Sequence, residues 1–150
     1  MTRDRNKHTN EIPTEEFEEF LLKAKNQDSI IENHDFVDLD LRDYLRSILE
    51  HKSLKQKDVI EKAQLNSTYG WEIFNIKGKR PSRNKLLALA FACNLDLTET
   101  RRLLVHGRVS GLYAKEKRDA IIIVCIQHNG DLSQCDSYLY DYGLETITEG

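Results

Sequence analysis

The stretch Leu54-Lys55-Gln56-Lys57-Asp58-Val59-Ile60-Glu61-Lys62-Ala63, followed by Gln64-Leu65-Asn66 and then residues 67–75, decides the fold. It reads as two short helices joined by a turn. Val59, Ile60 and Ala63 fall at i, i+1 and i+4, giving the first helix one apolar face. Asn66, Ser67 and Thr68 carry side chains that accept backbone N–H bonds, so one of them is expected to cap the second helix. That helix carries Tyr69, Trp71, Ile73 and Phe74, with Gly70 in its interior. A mid-helix glycine costs about 0.5–1 kcal/mol relative to alanine. Crowding of a neighbouring backbone by Tyr69 and Trp71 is the expected reason for it.

Downstream, Ile76-Lys77-Gly78-Lys79-Arg80-Pro81-Ser82-Arg83-Asn84-Lys85 holds five basic residues in ten. Gly78 and Pro81 mark a turn, and Ser82 is placed to cap the next helix. Leu86, Leu87, Leu89, Ala90 and Cys93 belong to an apolar helix. Asp96-Leu97-Thr98-Glu99 starts another, running through Leu103 and Leu104 to a stop at Gly107. Residues 83–104 then recur as residues 118–139. Arg83-Asn84 matches Arg118-Asp119, Leu86-Leu87 matches Ile121-Ile122, and Asp96-Leu97-Thr98-Glu99 matches Asp131-Leu132-Ser133-Gln134. A helical hairpin present twice, stacked on the helix pair above, is the economical account. The apolar run at residues 121–126 is expected to be a buried helix segment.

Upstream, residues 41–49 repeat apolar positions at Leu41, Leu45, Ile48 and Leu49, behind a candidate cap at Asp40. Phe17, Phe20, Leu21 and Ala24 form an amphipathic stripe starting near Thr14 and ending near Lys25. Residues 1–12 are polar enough to lack order. Residues 26–38 read as a linker pinned by Ile30, Ile31 and Phe36. The expected division is an acidic N-terminal segment with one helix (1–35), a helix-turn-helix domain (36–107) and a C-terminal hairpin packed on it (108–150). The fold class is all-α. No apolar stretch approaches the roughly 18 residues that span a bilayer, and the polar N-terminus predicts no secretory signal.

Charge separates these segments. The chain carries −3 overall, but residues 36–113 hold fourteen Lys/Arg against nine Asp/Glu, a net of +5, whereas both flanks are at −4. The net charge by itself argues against nucleic acid, but the basic charge is concentrated in the segment that holds the helix pair and the Lys/Arg-rich turn. Tyr138, Tyr140 and Tyr142, interspersed with Asp136 and Asp141, suggest instead a protein contact. Cys93, Cys125 and Cys135 are odd in number and form no C-x-x-C pair, so reduced thiols and a cytoplasmic location are expected. The five histidines lack metal-ligand spacing, so neither a metal nor any other cofactor is expected. No nucleophile elbow, phosphate-cradling glycine loop or His/Asp constellation points to catalysis.

The order Leu-x-Gln-x-x-apolar-x-x-x-Ala, a three-residue turn, an aromatic-rich helix and a Lys/Arg-Pro-Ser stretch resembles the helix-turn-helix of the Cro/repressor-like (XRE) family, over residues 41–104. The resemblance implies binding of double-stranded DNA, with the second motif helix in the major groove, and a dimer reading two half-sites. The Phe17–Ala24 stripe or the Tyr138–Tyr142 region would supply the dimer contact. Gln56 matches the family's phosphate-contacting Gln, and Thr68, Tyr69 and Glu72 match groove-facing places. Lys77, Lys79, Arg80 and Arg83 correspond to the basic turn, with the loop shifted by about one residue. Asn66 suits adenine, while Ser67 is the remaining polar group at the helix start. Two departures stand out: Gln64 occupies the turn place usually held by Gly, and Gly70 a place usually held by a β-branched residue. No Lys or Arg lies between Lys62 and Lys77. Two functions therefore remain open: a DNA-binding transcriptional regulator, or a protein-interaction adaptor that keeps the scaffold without base readout and binds through its acidic termini.

Overall fold

A computed structural model describes residues 14–26, 28 and 40–148. Among them are eight α-helices and no strand. Residues 1–12 and the expected linker anchors Ile30, Ile31 and Phe36 lie outside the described residues. The chain divides into two compact units, residues 1–38 and 39–150. In the first, α1 (Thr14–Lys23) carries Glu15 and Glu16 in its first turn and Lys23 in its last, the polarity that the helix dipole favours. Phe17 and Phe20 stack one turn apart, with ring centroids 6.0 Å apart.

The second unit starts with α2 (Leu41–Lys52), capped by the Asp40 carboxylate accepting from the Asp43 N–H. Leu41, Leu45 and Ile48 form its buried stripe. α3 (Gln56–Lys62) and α4 (Ser67–Asn75) follow, then α5 (Arg83–Ala92), α6 (Leu97–His106), α7 (Lys117–Gln127) and α8 (Leu132–Asp141). α2 packs on α4 and α6, and α3 on α4 and α5. The α5–α6 hairpin in turn meets α7–α8 through α5 against α8 and α6 against α7. One continuous core results, running from Leu41 to Ile147 through Phe74, Leu87, Leu104, Ile122 and Leu139.

Three alternate links share one turn. Gln64-Leu65-Asn66, Asn94-Leu95-Asp96 and Asn129-Gly130-Asp131 each begin with a left-handed residue (φ 59°, 56° and 59°) and end with an Asn or Asp that caps the next helix. Each also closes the same way: the residue after the left-handed one bonds back to the carbonyl five positions earlier, at Ile60, Ala90 and Cys125. This is the Schellman pattern, which satisfies the last orphan carbonyls of a helix.

The 35-residue recurrence holds in the helix boundaries and caps. α5 and α6 span positions equivalent to α7 and α8, apart from Lys117 at the start of α7. Asp96 with Glu99, and Asp131 with Gln134, form matching capping boxes. The two hairpins grip each other reciprocally. Arg83 donates to the Ser110 and Gly111 carbonyls and to the Asp119 carboxylate, at 2.9, 2.8 and 2.9 Å. Arg118 donates to the equivalent carbonyls of Glu145 and Thr146, and to Asn84 at 2.8 Å. Such mutual exchange, i to j and j to i, is the signature of a local two-fold.

Two glycines are explained by space. Gly70 is the close crossing of α3 and α4: a Cβ there would lie 2.5 Å from Cγ2 of Ile60, so an α3 side chain, and not Tyr69 or Trp71, demands it. Gly107 ends α6 with an ordinary φ of −78°, and the left-handed residue is Arg108. A Cβ at Gly107 would meet Leu86 Cδ1 at 2.3 Å. Within α7, Ile122, Cys125 and Ile126 are buried, but Val124 of the same apolar run faces solvent.

Candidate nucleic-acid interface

α4 is fixed at both ends and along its back. Of the three candidate caps, Asn66 is the one used, its side-chain oxygen accepting from the Tyr69 N–H at 3.0 Å. At the other end Arg46 of α2 donates to the Phe74 carbonyl at 2.8 Å and to the Asn75 side chain, while Asn75 donates back to the Trp71 carbonyl. A cation at a helix C-terminus neutralises the negative end of the dipole. Gly70, Ile73 and Phe74 face inward and are buried.

What remains outward follows from helical spacing. Ser67, Thr68 and Trp71 are exposed on one face, Trp71 at 54%. Glu72 is half-buried beside them and pairs with Lys79 at 2.7 Å. That bond raises the Lys79 pKa, chiefly by hydrogen bonding to the Glu72 carboxylate, and holds the ammonium charged. Lys79 also stands 4.8 Å from the Tyr69 ring centre, and Lys85 stands 5.6 Å from it. Tyr69 thus carries two ammonium groups, an arrangement favoured by the ring quadrupole.

The ten sequence candidates fall into distinct settings. Ser67 and Thr68 lie together at the start of α4, and Lys77 and Arg80 are exposed in the following loop, without an ion pair among the described residues. Gln56 opens α3 and is partly exposed. Asn66 keeps its amide N–H groups, its oxygen being engaged in the cap. Tyr69, Glu72 and Lys79 form the linked group described above. Arg83 is turned inward onto Ser110, Gly111 and Asp119, away from any phosphate role. Two residues join the surface beyond those ten. Trp71 was legible from its spacing, three and four residues after Thr68 and Ser67. Lys85 was legible only as part of the basic stretch, since its approach to Tyr69 is a tertiary contact.

A cleft of about 220 Å³ lies behind the α3–α4 turn, bounded by Gln64, Leu65, Tyr69, Lys85, Ile147 and Thr148. The C-terminal segment is held there by the Asp136 carboxylate, which accepts from the Ile147 N–H, the Thr148 N–H and the Thr148 hydroxyl. The described residues contain no group of three or more His, Cys, Asp or Glu able to hold a metal ion, and no helix long and apolar enough to cross a membrane. All three cysteines are buried free thiols. Comparison with family models, characterised proteins and solved structures finds no match.

Proposed function

We propose that residues 39–150 form a non-catalytic, cytoplasmic DNA-binding regulator of the helix-turn-helix type, similar to the Cro/repressor-like family, with α4 entering the major groove. One observation carries this reading: α4 is locked at both ends and behind, yet presents Ser67, Thr68 and Trp71 outward, with unpaired cations Lys77 and Arg80 immediately after it. A rigid helix with a polar exposed start can read base edges, and the cations that follow can neutralise phosphates. Lys77, Lys79 and Arg80, together with Gln56 and Lys85, would supply affinity. Asn66, Ser67, Thr68 and Glu72 would supply sequence preference. A dimer reading two half-sites belongs to the same proposal.

The test is binding to random and selected duplexes at two salt concentrations. Removing charge at Lys77 or Arg80 should weaken binding to every duplex and reduce the salt slope by roughly one unit per lost phosphate contact. Thr68→Ala should instead relax preference at one or two base pairs, a loss of about 1 kcal/mol. One observation favours a second reading, a protein adaptor: Glu72 and Trp71 occupy a face with no Lys or Arg of its own helix. In that case Trp71 fluorescence would respond to a protein partner and stay unchanged on adding DNA, and duplex binding would be no tighter than the roughly 10⁻⁴–10⁻⁶ M of non-specific contact.

A further inference from the structure

α7 and α8 pack against each other across a short turn and enclose two thiols between them. Cys125, near the end of α7, and Cys135, in the first turn of α8, are 6% and 0% exposed. The Cys135 thiol donates a hydrogen bond to the Cys125 sulfur, so the two side chains are in direct contact. The hairpin backbone does not require sulfur at either place. In the first hairpin the equivalent positions hold Ala90 and Thr100, both buried. Thr100 directs its hydroxyl to the Asp96 carbonyl at the start of its own helix, at 2.8 Å, whereas Cys135 turns its S–H across to α7. Cys93 ends α5 in a different setting, beside Lys52 and Glu99.

We propose that Cys125 and Cys135 are a redox-sensitive latch, two touching thiols that hydrogen peroxide closes into a disulfide joining α7 to α8. Cys125 is the attacking sulfur. It is the more exposed of the two, and the hydrogen bond from Cys135 stabilises its thiolate. Burial raises both thiols, but that bond pulls Cys125 down and pushes Cys135 up, so Cys125 ionises first. Its thiolate attacks one peroxide oxygen; an S–O bond forms, the O–O bond breaks, and the departing hydroxide takes up the proton that Cys125 released. Cys135 then attacks the sulfenic sulfur, forming the S–S bond while its own proton leaves with the hydroxyl as water. Two thiols and one hydrogen peroxide give one disulfide and two waters, the sulfurs being oxidised and the peroxide oxygens reduced. The narrow access to Cys125 suits a small neutral oxidant and excludes a bulky disulfide. Closing residues 125–135 into a ring restricts the unfolded chain and so favours the folded hairpin. Asp136, next to Cys135, holds the Ile147 and Thr148 N–H groups, so the latch also fastens the part of α8 that anchors the C-terminal segment.

The experiment treats the folded full chain with hydrogen peroxide, alkylates the remaining thiols in denaturant and maps tryptic peptides without reduction. Residues 119–150 contain no Lys or Arg, so one peptide carries both cysteines, while Cys93 falls in the separate peptide 86–101. Peptide 119–150 should become lighter by two hydrogen atoms and take up no alkylating agent, and dithiothreitol should reverse both changes. The Cys93 peptide should stay alkylated. In Cys135→Ser, Cys125 should stop at a sulfenic acid that dimedone traps; in Cys125→Ser, Cys135 should stay a thiol. Oxidised wild type should unfold at higher urea concentration than the reduced protein. Sulfinic acid in place of the link, a link that forms only in denaturant, or one that joins two chains would overturn the proposal. So would oxidation of Cys135 that persists in Cys125→Ser, or a urea midpoint that the disulfide leaves unmoved or lowers.

Discussion

The reciprocal arginines allow a prediction in which one hairpin serves as the control for the other. Arg83 and Arg118 make equivalent bonds to two backbone carbonyls, but Arg83 meets a carboxylate and Arg118 a neutral amide. The Asp119 side chain is 6% exposed; its Oδ2 accepts from Arg83 and from the Tyr113 N–H at 2.8 Å, while Oδ1 finds no donor among the described residues. Arg83→Met therefore leaves a buried carboxylate with one backbone donor. Loss of one partner of a buried ion pair costs about 3–5 kcal/mol. Arg83 itself retains 21% exposure, which places the expected cost at the lower end, about 3 kcal/mol. Arg118→Met strips an equivalent set of hydrogen bonds but strands only the Asn84 amide, also bonded to Glu145, and should cost about 1 kcal/mol. The difference, about 2 kcal/mol, is the contribution of charge. Adding Asp119→Asn to Arg83→Met should recover part of the loss, with a coupling of about 1–2 kcal/mol. Urea unfolding followed by circular dichroism and Trp71 fluorescence reads all three numbers. Equal costs for the two arginines would refute the reasoning. So would an Arg83→Met protein of unchanged stability whose DNA binding loses salt dependence, because Arg83 would then be a phosphate ligand.

Further expectations follow from other parts of the fold. Gly70→Ala should destabilise by about 1–2 kcal/mol despite better helix propensity, because its Cβ collides with Cγ2 and Cγ1 of Ile60; in an Ile60→Ala background, which lacks both atoms, the same change should cost no more than zero, and thermal unfolding of the single and double variants decides it. Stability should fall at alkaline pH. Burial raises Tyr44 from 10.0 to about 12 against the pull of Arg102, and raises Cys93 from 9.0 to about 12 against the pull of Lys52. Both groups keep their protons in the folded state after the unfolded chain has lost them, so stability is complete below about pH 9 and declines toward pH 12. Unfolding midpoints measured between those limits should fall less steeply for Tyr44→Phe and for Cys93→Ala, and a slope unchanged in both would contradict the assignment.

Local chemistry accounts for what was legible in the sequence. Caps at Asp40, Ser82 and Asp96 are side chains bonding a backbone N–H three residues on, so neighbours in sequence suffice to predict them. The recurrence of residues 83–104 was legible for the same reason, since matching turns and capping boxes are encoded within each copy. Reasons that depend on another helix were not legible. The demand for Gly70 comes from Ile60 across the α3–α4 crossing, and the demand for Gly107 from Leu86. Arg83 belonged to a run of five basic residues, and nothing in that run distinguishes the one whose partner, Asp119, lies 36 positions away.

The copies nevertheless contain a signal of environment that a comparison within the chain can extract. Leu87 with Ile122, and Leu104 with Leu139, remain aliphatic and buried in both copies. At Leu103 with Tyr138 and His106 with Asp141 the copies diverge toward amphipathic or charged groups, and there the first hairpin is buried, with α2 and α3 packed on it, while the second is exposed. Duplicated backbones thus make each copy a reference for the other, because propensity and turn chemistry cancel and only the neighbours differ. On that basis Val124 and Tyr138 are informative and Tyr140 is not: the first two replace the buried Leu89 and Leu103, whereas Tyr140 replaces Val105, which is exposed in its own copy.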